Sequence, residues 1–238
     1  MNSVEALLDA IAPGVRIVVA PGYYNLSDYV EDTWAQEGES WNDAHTYVRL
    51  QEAYDGVEVV IQNADNLSIV GESDNAADTE IVTDPRYATV LLFHNCQNLY
   101  LSSMTIGHTE LGDCMGDVLY FEHCPNTMIS NMDLYGCGMY GISAFGYVGE
   151  FLICDTTIRD CSYGSIYFFQ CEGDVIFQNC TLTGSLGGGY YEPGDPSTLS
   201  FYSCTFGTNE TNCWYFYDNI LTQDCVWSEI TMYPDYSN

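Results

Sequence analysis

The chain has 238 residues, and 34 aspartates and glutamates face only four arginines and no lysine, which gives a formal net charge of −30. Nucleic acids and anionic membranes bind proteins through cationic side chains, so neither is predicted as a partner. Hydrophobic residues still make up 47 % of the chain and aromatic residues 14 %. This composition is typical of a chain that folds around one core and not of an acidic disordered tail.

Targeting signals are not evident in the sequence. No stretch has about 18 consecutive apolar residues, so no transmembrane helix is predicted. The first residues lack the basic and apolar regions of a signal peptide. The expectation is therefore a cytoplasmic protein, unless Met1 opens a trimmed sequence, and the compartment is left open.

The N-terminus carries a helical pattern. Four apolar residues follow i, i+3, i+4, i+7 spacing: Val4, Leu7, Leu8 and Ile11. Ser3 precedes them as a typical N-cap residue, and Pro13-Gly14 ends the pattern. We predict a short helix within residues 1–14 that caps one end of the fold, followed by a strand at Val15–Ala20.

From residue 57 onward the sequence has a repeat with a period of about 24 residues. Six segments share an apolar residue at the third position and another five positions later: Leu99–Ile106, Thr127–Leu134, Phe151–Ile158, Val175–Leu182, Leu199–Phe206 and Asn219–Val226. The steps between successive copies are 28, 24, 24, 24 and 20. The copies lack a helical period, so each is predicted to be two short strands separated by a tight bend.

A small polar residue occupies the bend of each copy: Ser103, Asn131, Asp155, Asn179, Ser203 and Gln223. In a parallel solenoid such side chains stack about 4.8 Å apart and can hydrogen-bond to one another and to the turn backbone. A third strand precedes the pair in three coils, at Val118–Glu122, Ile142–Gly146 and Ile166–Gln170. Each coil is therefore predicted to contain three strands.

These features describe an all-β fold, a single-stranded right-handed parallel β-helix with three strands per coil, rungs of about 24 residues and a short N-terminal capping helix. In them the chain resembles pectate-lyase-like proteins, whose second bend carries an asparagine ladder. We predict one domain over residues 1–238. It divides into the cap (1–14), the first strand with a long acidic excursion (15–56), regular coils (57–226) and a C-terminal cover (227–238).

Several of the 11 cysteines repeat at the same period. Cys137 and Cys161 are one repeat apart, as are Cys180 and Cys204. A slot that fits cysteine in one coil fits it in the next, so buried, reduced thiols are predicted. No Cys-x-x-Cys pair occurs, so structural zinc is not expected. Disulfides between rungs stay open as an alternative for an exported protein.

The resemblance implies a groove along the first strand of the coils, with walls formed by the loops after the third strand. Those loops place five candidate catalytic residues at one edge: His108, Glu110, Asp113, Arg159 and Asp160. Glu110, Asp113 or Asp160 is the hypothetical general acid or base of a sugar site. The alternative is a set of solvated loop charges around a histidine with satisfied hydrogen bonds.

Other family features are missing. The resemblance implies calcium-assisted proton abstraction by arginine or lysine in lyases, but this chain has one arginine near the groove, Arg159, and no lysine. The polygalacturonase pattern, Asn-x-Asp with a following Asp-Asp, is also absent. A charge of −30 repels acidic polysaccharides unless Ca²⁺ bridges them. We therefore predict no metal site and no cofactor, with Ca²⁺ as the open alternative, and leave open whether the protein is an enzyme.

Aromatic residues on the first strand are candidate ligand contacts. If Val118, Ile142 and Ile166 point inward, three phenylalanines point outward, with a tyrosine and a histidine beside them: Phe121, Phe145, Phe169, Tyr167 and His123. Such a ladder can stack on sugar rings. A one-residue slip in register would instead place the phenylalanines in the core.

Two functions from different classes follow. The first is binding or processing of a neutral carbohydrate along the first-strand groove. The second is a non-catalytic scaffold for protein interaction, which apolar residues on the outer side of the second strand suggest: Tyr100, Met128, Leu152 and Ile176. An apolar row on both sides of a strand indicates a covered sheet, and the cover is either a packed terminal segment or a second copy of the chain in a homo-oligomer.

Overall fold

Short strands make up most of the structure, a computed structural model that describes residues 1–110, 115–136, 139–183, 198–207 and 220–227. Its helices are α1 (Val4–Asp9), α2 (Ser27–Glu37), α3 (Glu39–Ala44) and one 3₁₀ turn (Ala76–Asp78). Its strands are β1 (Arg16–Val19), β2 (Gly22–Asn25), β3 (Val48–Glu52), β4 (Val57–Gln62), β5 (Ser68–Gly71), β6 (Thr79–Thr83), β7 (Leu91–His94), β8 (Tyr100–Ser102), β9 (Thr105–His108), β10 (Leu119–Glu122), β11 (Thr127–Ser130), β12 (Asp133–Tyr135), β13 (Tyr140–Cys154), β14 (Thr157–Arg159), β15 (Gly164–Gln178), β16 (Thr181–Thr183), β17 (Thr198–Tyr202), β18 (Thr205–Gly207), β19 (Ile220–Gln223) and β20 (Val226–Trp227).

The strands form three faces of a solenoid of about five turns. The first face contains β4, β7, β10 and the beginnings of β13 and β15. The second contains β1, β5, β8, β11, the ends of β13 and β15, β17 and β19. The third contains β2, β6, β9, β12, β14, β16, β18 and β20. Within each face, strands from successive coils pair in parallel, which confirms the predicted parallel β-helix.

The N-terminal cap forms as predicted. Ser3 accepts a hydrogen bond from the Ala6 amide (3.1 Å), and α1 buries Leu7 and Leu8 against the core. The acidic excursion contains α2, α3 and β3, and β3 pairs antiparallel with β4 at the end of the first face. These elements cover a strand edge that would otherwise be open to pairing with another chain. Among the helices of the described residues, none combines the length and the hydrophobicity that a membrane-spanning helix needs.

The predicted polar column lies at the second bend. Its first five members have left-handed backbone, with φ between 48° (Asp155) and 60° (Ser103). The sixth member is Asp224 (φ 55°), so the prediction of Gln223 was wrong. Phe201 pairs with Thr222 and not with Leu221, which makes the last coil one residue longer than the repeat predicts. This shift leaves Leu221 on the outer surface.

A second ladder, which the repeat analysis missed, lies at the first bend. Its members also have left-handed backbone: Asn63, Asn66, Asn95, Asn98, His123 and Asn126. Asn95 donates to Asn63 (2.6 Å), and Asn126 donates to Asn98 (3.1 Å). In β13 the corresponding left-handed positions are Gly146 and Gly149, and the chain passes from the first face to the second without leaving the strand.

The corners of the solenoid explain the periodic cysteines. Seven of the eight described cysteines directly follow a left-handed bend residue: Cys96, Cys124, Cys161, Cys171, Cys180, Cys204 and Cys225. Each thiol points into a corner, as Cys180 does when it donates to the carbonyls of Ile153 and Gln178 (both 3.4 Å). All eight are free thiols, which agrees with the predicted packing. Cys137 lies outside the described residues.

Candidate functional site

His108, one of the five predicted catalytic residues, is a core residue. Its ring is completely buried, and Nε2 lies 2.9 Å from the Ala88 carbonyl. Burial lowers its pKa, so the imidazole is neutral near pH 7. In the next coil, Gly136 (φ 141°) leaves room for this ring, because a Cβ there would be 2.9 Å from Nδ1. The structure places His108 away from any solvent-facing groove.

Arg159 forms ion pairs with two acids, Asp160 and Asp133. Arg159 donates through Nε and Nη2 to the two carboxylate oxygens of Asp133 (2.9 Å each) and through Nη1 to Asp160 (2.9 Å). Its guanidinium also lies 4.7 Å from the ring centre of Tyr135. The hydrogen bonds to Asp133 raise the pKa of Arg159 above its ordinary value, so the guanidinium stays charged. Arg159 thus joins two acids and a tyrosine at the end of the third face.

Glu110 lies in a separate cluster, where it pairs with Arg86 (3.3 Å). Asp113 lies outside the described residues. The structure therefore does not bring the four described members of the predicted set into one site. The chain has only four arginines for 34 acids, and both Arg86 and Arg159 pair with nearby carboxylates. Glu110 and Arg159, two of the predicted catalytic residues, therefore belong to different ion pairs.

The aromatic residues of the first face do come together. Phe145 and Phe169 point outward and stack, with ring centroids 5.7 Å apart. Tyr167 lies beside Phe169 (6.2 Å, nearly parallel), and His123 contacts Phe145 edge-on (5.8 Å). Four of the five predicted contact residues therefore line one outer surface.

Phe121, the fifth, points inward, so its predicted placement on the outer surface was wrong. Leu119 pairs with Ile142, so the coil here is one residue shorter than the predicted repeat. The outward partner of Phe145 is consequently Glu122. Phe121 is fully buried and lies between Phe93 (5.2 Å) and Phe151 (5.1 Å) in the core.

Asp117 lies next to the outward aromatic residues, at the start of the first face. One carboxylate oxygen accepts a hydrogen bond from the Tyr140 amide (3.0 Å), and the buried Ser143 hydroxyl lies beside the same carboxyl. The Tyr140 ring stacks on Tyr167 (4.8 Å, 12°). Burial, with a smaller contribution from the charge of Glu58, raises the pKa of Asp117 to about 6. Asp117 can therefore hold a proton near neutral pH, as an ordinary aspartate cannot.

Glu58 is the second carboxylate of this surface. Its two oxygens accept hydrogen bonds from the Thr89 amide and the Gln51 side chain (3.0 Å each). Burial raises its pKa above the ordinary value. Burial also raises the pKa values of Tyr120 and Tyr140 to about 12, so both phenols stay protonated and can donate hydrogen bonds.

We call six of these residues the first-face site: Glu58, Asp117, Tyr120, Tyr140, Ser143 and Tyr167. Asp117 was missed because its sequence context, a loop acid after a glycine, is shared by other acids of this chain. The available signal was its position directly before a first-face strand, among tyrosines. This position can be recognised only when the pairing of Leu119 with Ile142 is known, and the 24-residue repeat alone does not predict that pairing.

Metal ligands are not grouped in the part of the chain that the structure describes. No cluster there contains three or more histidine, cysteine, aspartate or glutamate side chains placed to hold an ion. Whether Ca²⁺ binds stays a prediction.

Together, the coils and their outer surface define a parallel β-solenoid with a half-buried carboxyl and stacked aromatic rings on its first face. The family model of the right-handed β-helix region matches residues 88–228, and the chain belongs to this family.

Comparison with individual proteins gives one curated relative and several similar structures. The chain is 27 % identical over 119 residues to a capsule K1-specific depolymerase of Klebsiella phage K64-1, a match that covers 44 % of this chain and 13 % of the relative. Pectin methylesterase PemA from Erwinia chrysanthemi has a similar fold, with TM-score 0.53, 13 % identity and coverage of 87 % of this chain and 61 % of that chain. A pectin methylesterase mutant in complex with hexasaccharide IV gives the same TM-score and identity, with coverage of 86 % and 62 %. At this identity the structural likeness shows the fold alone.

Proposed function

We propose that this protein binds and processes a neutral carbohydrate at the first-face site. The observation that carries the proposal is the juxtaposition of stacked outward rings with Asp117, a carboxyl that keeps its proton up to about pH 6. Aromatic faces stack on the apolar faces of sugar rings, and the phenols and carboxyls supply hydrogen bonds to hydroxyl groups. The phage relative is named as a depolymerase of a capsule, and one similar structure holds a hexasaccharide, which supports this class of ligand.

The charges of the first face favour a neutral sugar over an acidic one. The site contains Glu58 and Asp117, and Glu122 lies on the same outer surface. Arg86, on the connection from β6 to β7, and Arg159, at the end of β14, are both paired with acids. Because like charges repel, uronate chains would need a bridging cation here.

Processing at this site would be glycoside hydrolysis. The protonated Asp117 donates its proton to the glycosidic oxygen as the bond between that oxygen and the anomeric carbon breaks. A water molecule adds its oxygen to the same carbon, and Glu58 accepts the proton that the water releases. Because the donor must be protonated, turnover is expected to fall as the pH rises above about 6.

The test is binding and turnover against an array of neutral and acidic glycans, with and without Ca²⁺. Asp117→Asn keeps the hydrogen bond from Tyr140 but has no proton to transfer, so turnover should fall about 10²-fold or more while binding persists. Tyr167→Ala should weaken binding. Asp160→Asn, outside the first-face site, is the matched control and should leave both unchanged.

Other outcomes would point elsewhere. Loss of turnover in Asp160→Asn or Glu110→Gln, with Asp117→Asn active, would return the chemistry to the loops predicted from the sequence. Silence across the array would favour the scaffold alternative, which rests on the apolar row of Tyr100, Met128, Leu152 and Ile176 on consecutive rungs of the second face. In that case Leu152→Asp should disturb self-association.

A further inference from the structure

Two exposed tyrosines stand together outside the first-face site. Tyr54 is at the tip of the β3–β4 hairpin and is 86 % exposed, while Tyr87, on the connection from β6 to β7, is 41 % exposed. Their ring centroids are 4.9 Å apart, and the rings are inclined at 54°. Single exposed aromatic residues are common, whereas two in contact form an apolar patch, which is a typical feature of a binding surface. The tilted pair leaves an apolar face open to solvent.

The backbone beneath the pair is held in place. Asp55 accepts hydrogen bonds from the amides of Arg86 (2.8 Å) and Tyr87 (3.0 Å), which joins the hairpin tip to the connection. Gly56 packs against Pro85 so closely that a Cβ would lie 2.3 Å from the proline ring. A ligand would therefore meet a preorganised surface, and little backbone entropy would be lost on binding.

Polar groups border the same surface. A cleft of about 360 Å³ lies next to the connection that carries Tyr87, and its charged lining residues are one arginine and four acids: Arg86, Glu31, Asp55, Asp84 and Glu110. Arg86 and Glu110 form an ion pair at 3.3 Å, with exposed fractions of 42 % and 62 %, so both can also bind an approaching hydroxyl group. Rings next to donors and acceptors of both charges match the chemistry of a neutral sugar.

The tyrosine pair and Asp117 lie on adjoining rungs. The Gly116 amide donates to the Arg86 carbonyl, and the Val90 amide donates to the Asp117 carbonyl (3.0 Å each). Tyr87 is thus about one rung, ~4.8 Å, from the strand of Asp117 and a few residues along it.

We propose that Tyr54 and Tyr87 form a second sugar-contact site, so that the ligand is an oligosaccharide or polysaccharide that extends from Asp117 over this pair. The inference rests on the proposed function, because it assigns the length of the ligand bound there. A disaccharide held at the first-face site would not need the pair, whereas a longer chain would contact both places and bind more tightly.

The experiment compares neutral di- and hexasaccharide forms of the same glycans by isothermal titration. The wild type should bind the hexasaccharide more tightly than the disaccharide. Tyr54→Ala should lower the affinity for the hexasaccharide about tenfold and leave the affinity for the disaccharide unchanged. Tyr54→Phe keeps the ring and should behave as wild type. Tyr23→Ala, at an exposed tyrosine of β2, is the control for loss of a surface ring.

Three results would overturn the inference in distinguishable ways. If a hexasaccharide binds wild type and Tyr54→Ala equally well, the second contact site does not exist, and the proposed function stands. If no glycan binds wild type, the proposed function fails together with this extension. Reduced binding of an arginine-rich peptide by Tyr54→Ala, with glycan binding intact, would assign the pair to a cationic partner instead.

Discussion

A single carboxyl group carries most of the proposed chemistry. The Asp117 side chain is withdrawn from water by the tyrosines around it, and its Tyr140 amide partner does not offset that loss of hydration. A raised carboxyl pKa in the folded protein has a cost, because ionising the group is harder after folding than before. The same property that makes Asp117 a proton donor should therefore destabilise the fold at neutral pH.

The sign and size of that cost can be measured. Below about pH 4 both states hold the proton. Between about pH 4 and pH 6 only the folded state holds it, so the contribution of Asp117 to the stability of the wild type falls as the pH rises and stays low above pH 6. A rise from 3.8 to about 6 corresponds to about 3 kcal/mol. Asp117→Asn lacks this titration, so its free energy of unfolding should gain about that much over wild type between pH 4 and pH 7.5 in urea titrations.

Because many other acids titrate in the same range, only the difference between variant and wild type is informative. Asp160→Asn serves as the comparison, since Asp160 is paired with Arg159 and lies outside the first-face site. A difference for Asp117→Asn that does not change with pH would mean that the Asp117 carboxyl titrates normally and is a poor proton donor at neutral pH.

At the level of strands, a one-residue change in coil length decides which side chains reach the surface. The coil from Leu119 to Ile142 is one residue shorter than the repeat, so Phe121 enters the core while Phe145 remains outside. Side chains alternate along a strand, and a shift of one residue therefore exchanges the two sides. The contacts of the Phe121 ring, which stacks on Phe93 and meets Phe151 edge to face, depend on this register.

Alanine substitutions at the two phenylalanines should have very different effects. Phe121→Ala empties a fully buried position between two rings and should cost about 3–5 kcal/mol of unfolding free energy. Phe145→Ala removes an outward ring and should cost less than about 1 kcal/mol. Urea titration of both variants measures the difference. Equal costs would mean that the two rings are equally buried and that this coil has the full length of the repeat.

Much of the fold was predictable from the sequence, and the reasons are local. The helix after Ser3 and the left-handed bend residues from Ser103 to Ser203 follow from capping and turn chemistry that each short segment carries. The shortened coil between β10 and β13 and the lengthened last coil could not be predicted in this way, because the register of a strand pair depends on contacts between coils.

The candidate site was less predictable, for the same physical reason. Phe145, Phe169 and Tyr167 were found because their outward positions follow from strand alternation. Asp117, the acid beside them, was not found, because its pKa is set by residues from other coils. His108 was selected by residue type, but its corner is closed by packing that its own sequence context does not reveal.

For the whole molecule, the dominant feature is the excess of negative charge. A formal charge of −30 over 238 residues keeps like charges close together after folding, while the unfolded chain separates them. Arginine pairs relieve this only locally, as at Arg86 and Arg159. Self-repulsion should therefore oppose folding over the entire solenoid.

Salt should then stabilise the protein, because added ions screen repulsion beyond the Debye length, about 10 Å at 0.1 M. We expect the urea midpoint at pH 7 to rise between about 20 mM and 300 mM NaCl with an unchanged m-value, since the surface exposed on unfolding stays the same. The control is the same pair of titrations near pH 4.1, the isoelectric point of the sequence, where the net charge is close to zero and the salt effect should vanish. A midpoint that falls with salt at pH 7 would mean that ion pairs such as Arg159 with Asp133 outweigh the net repulsion.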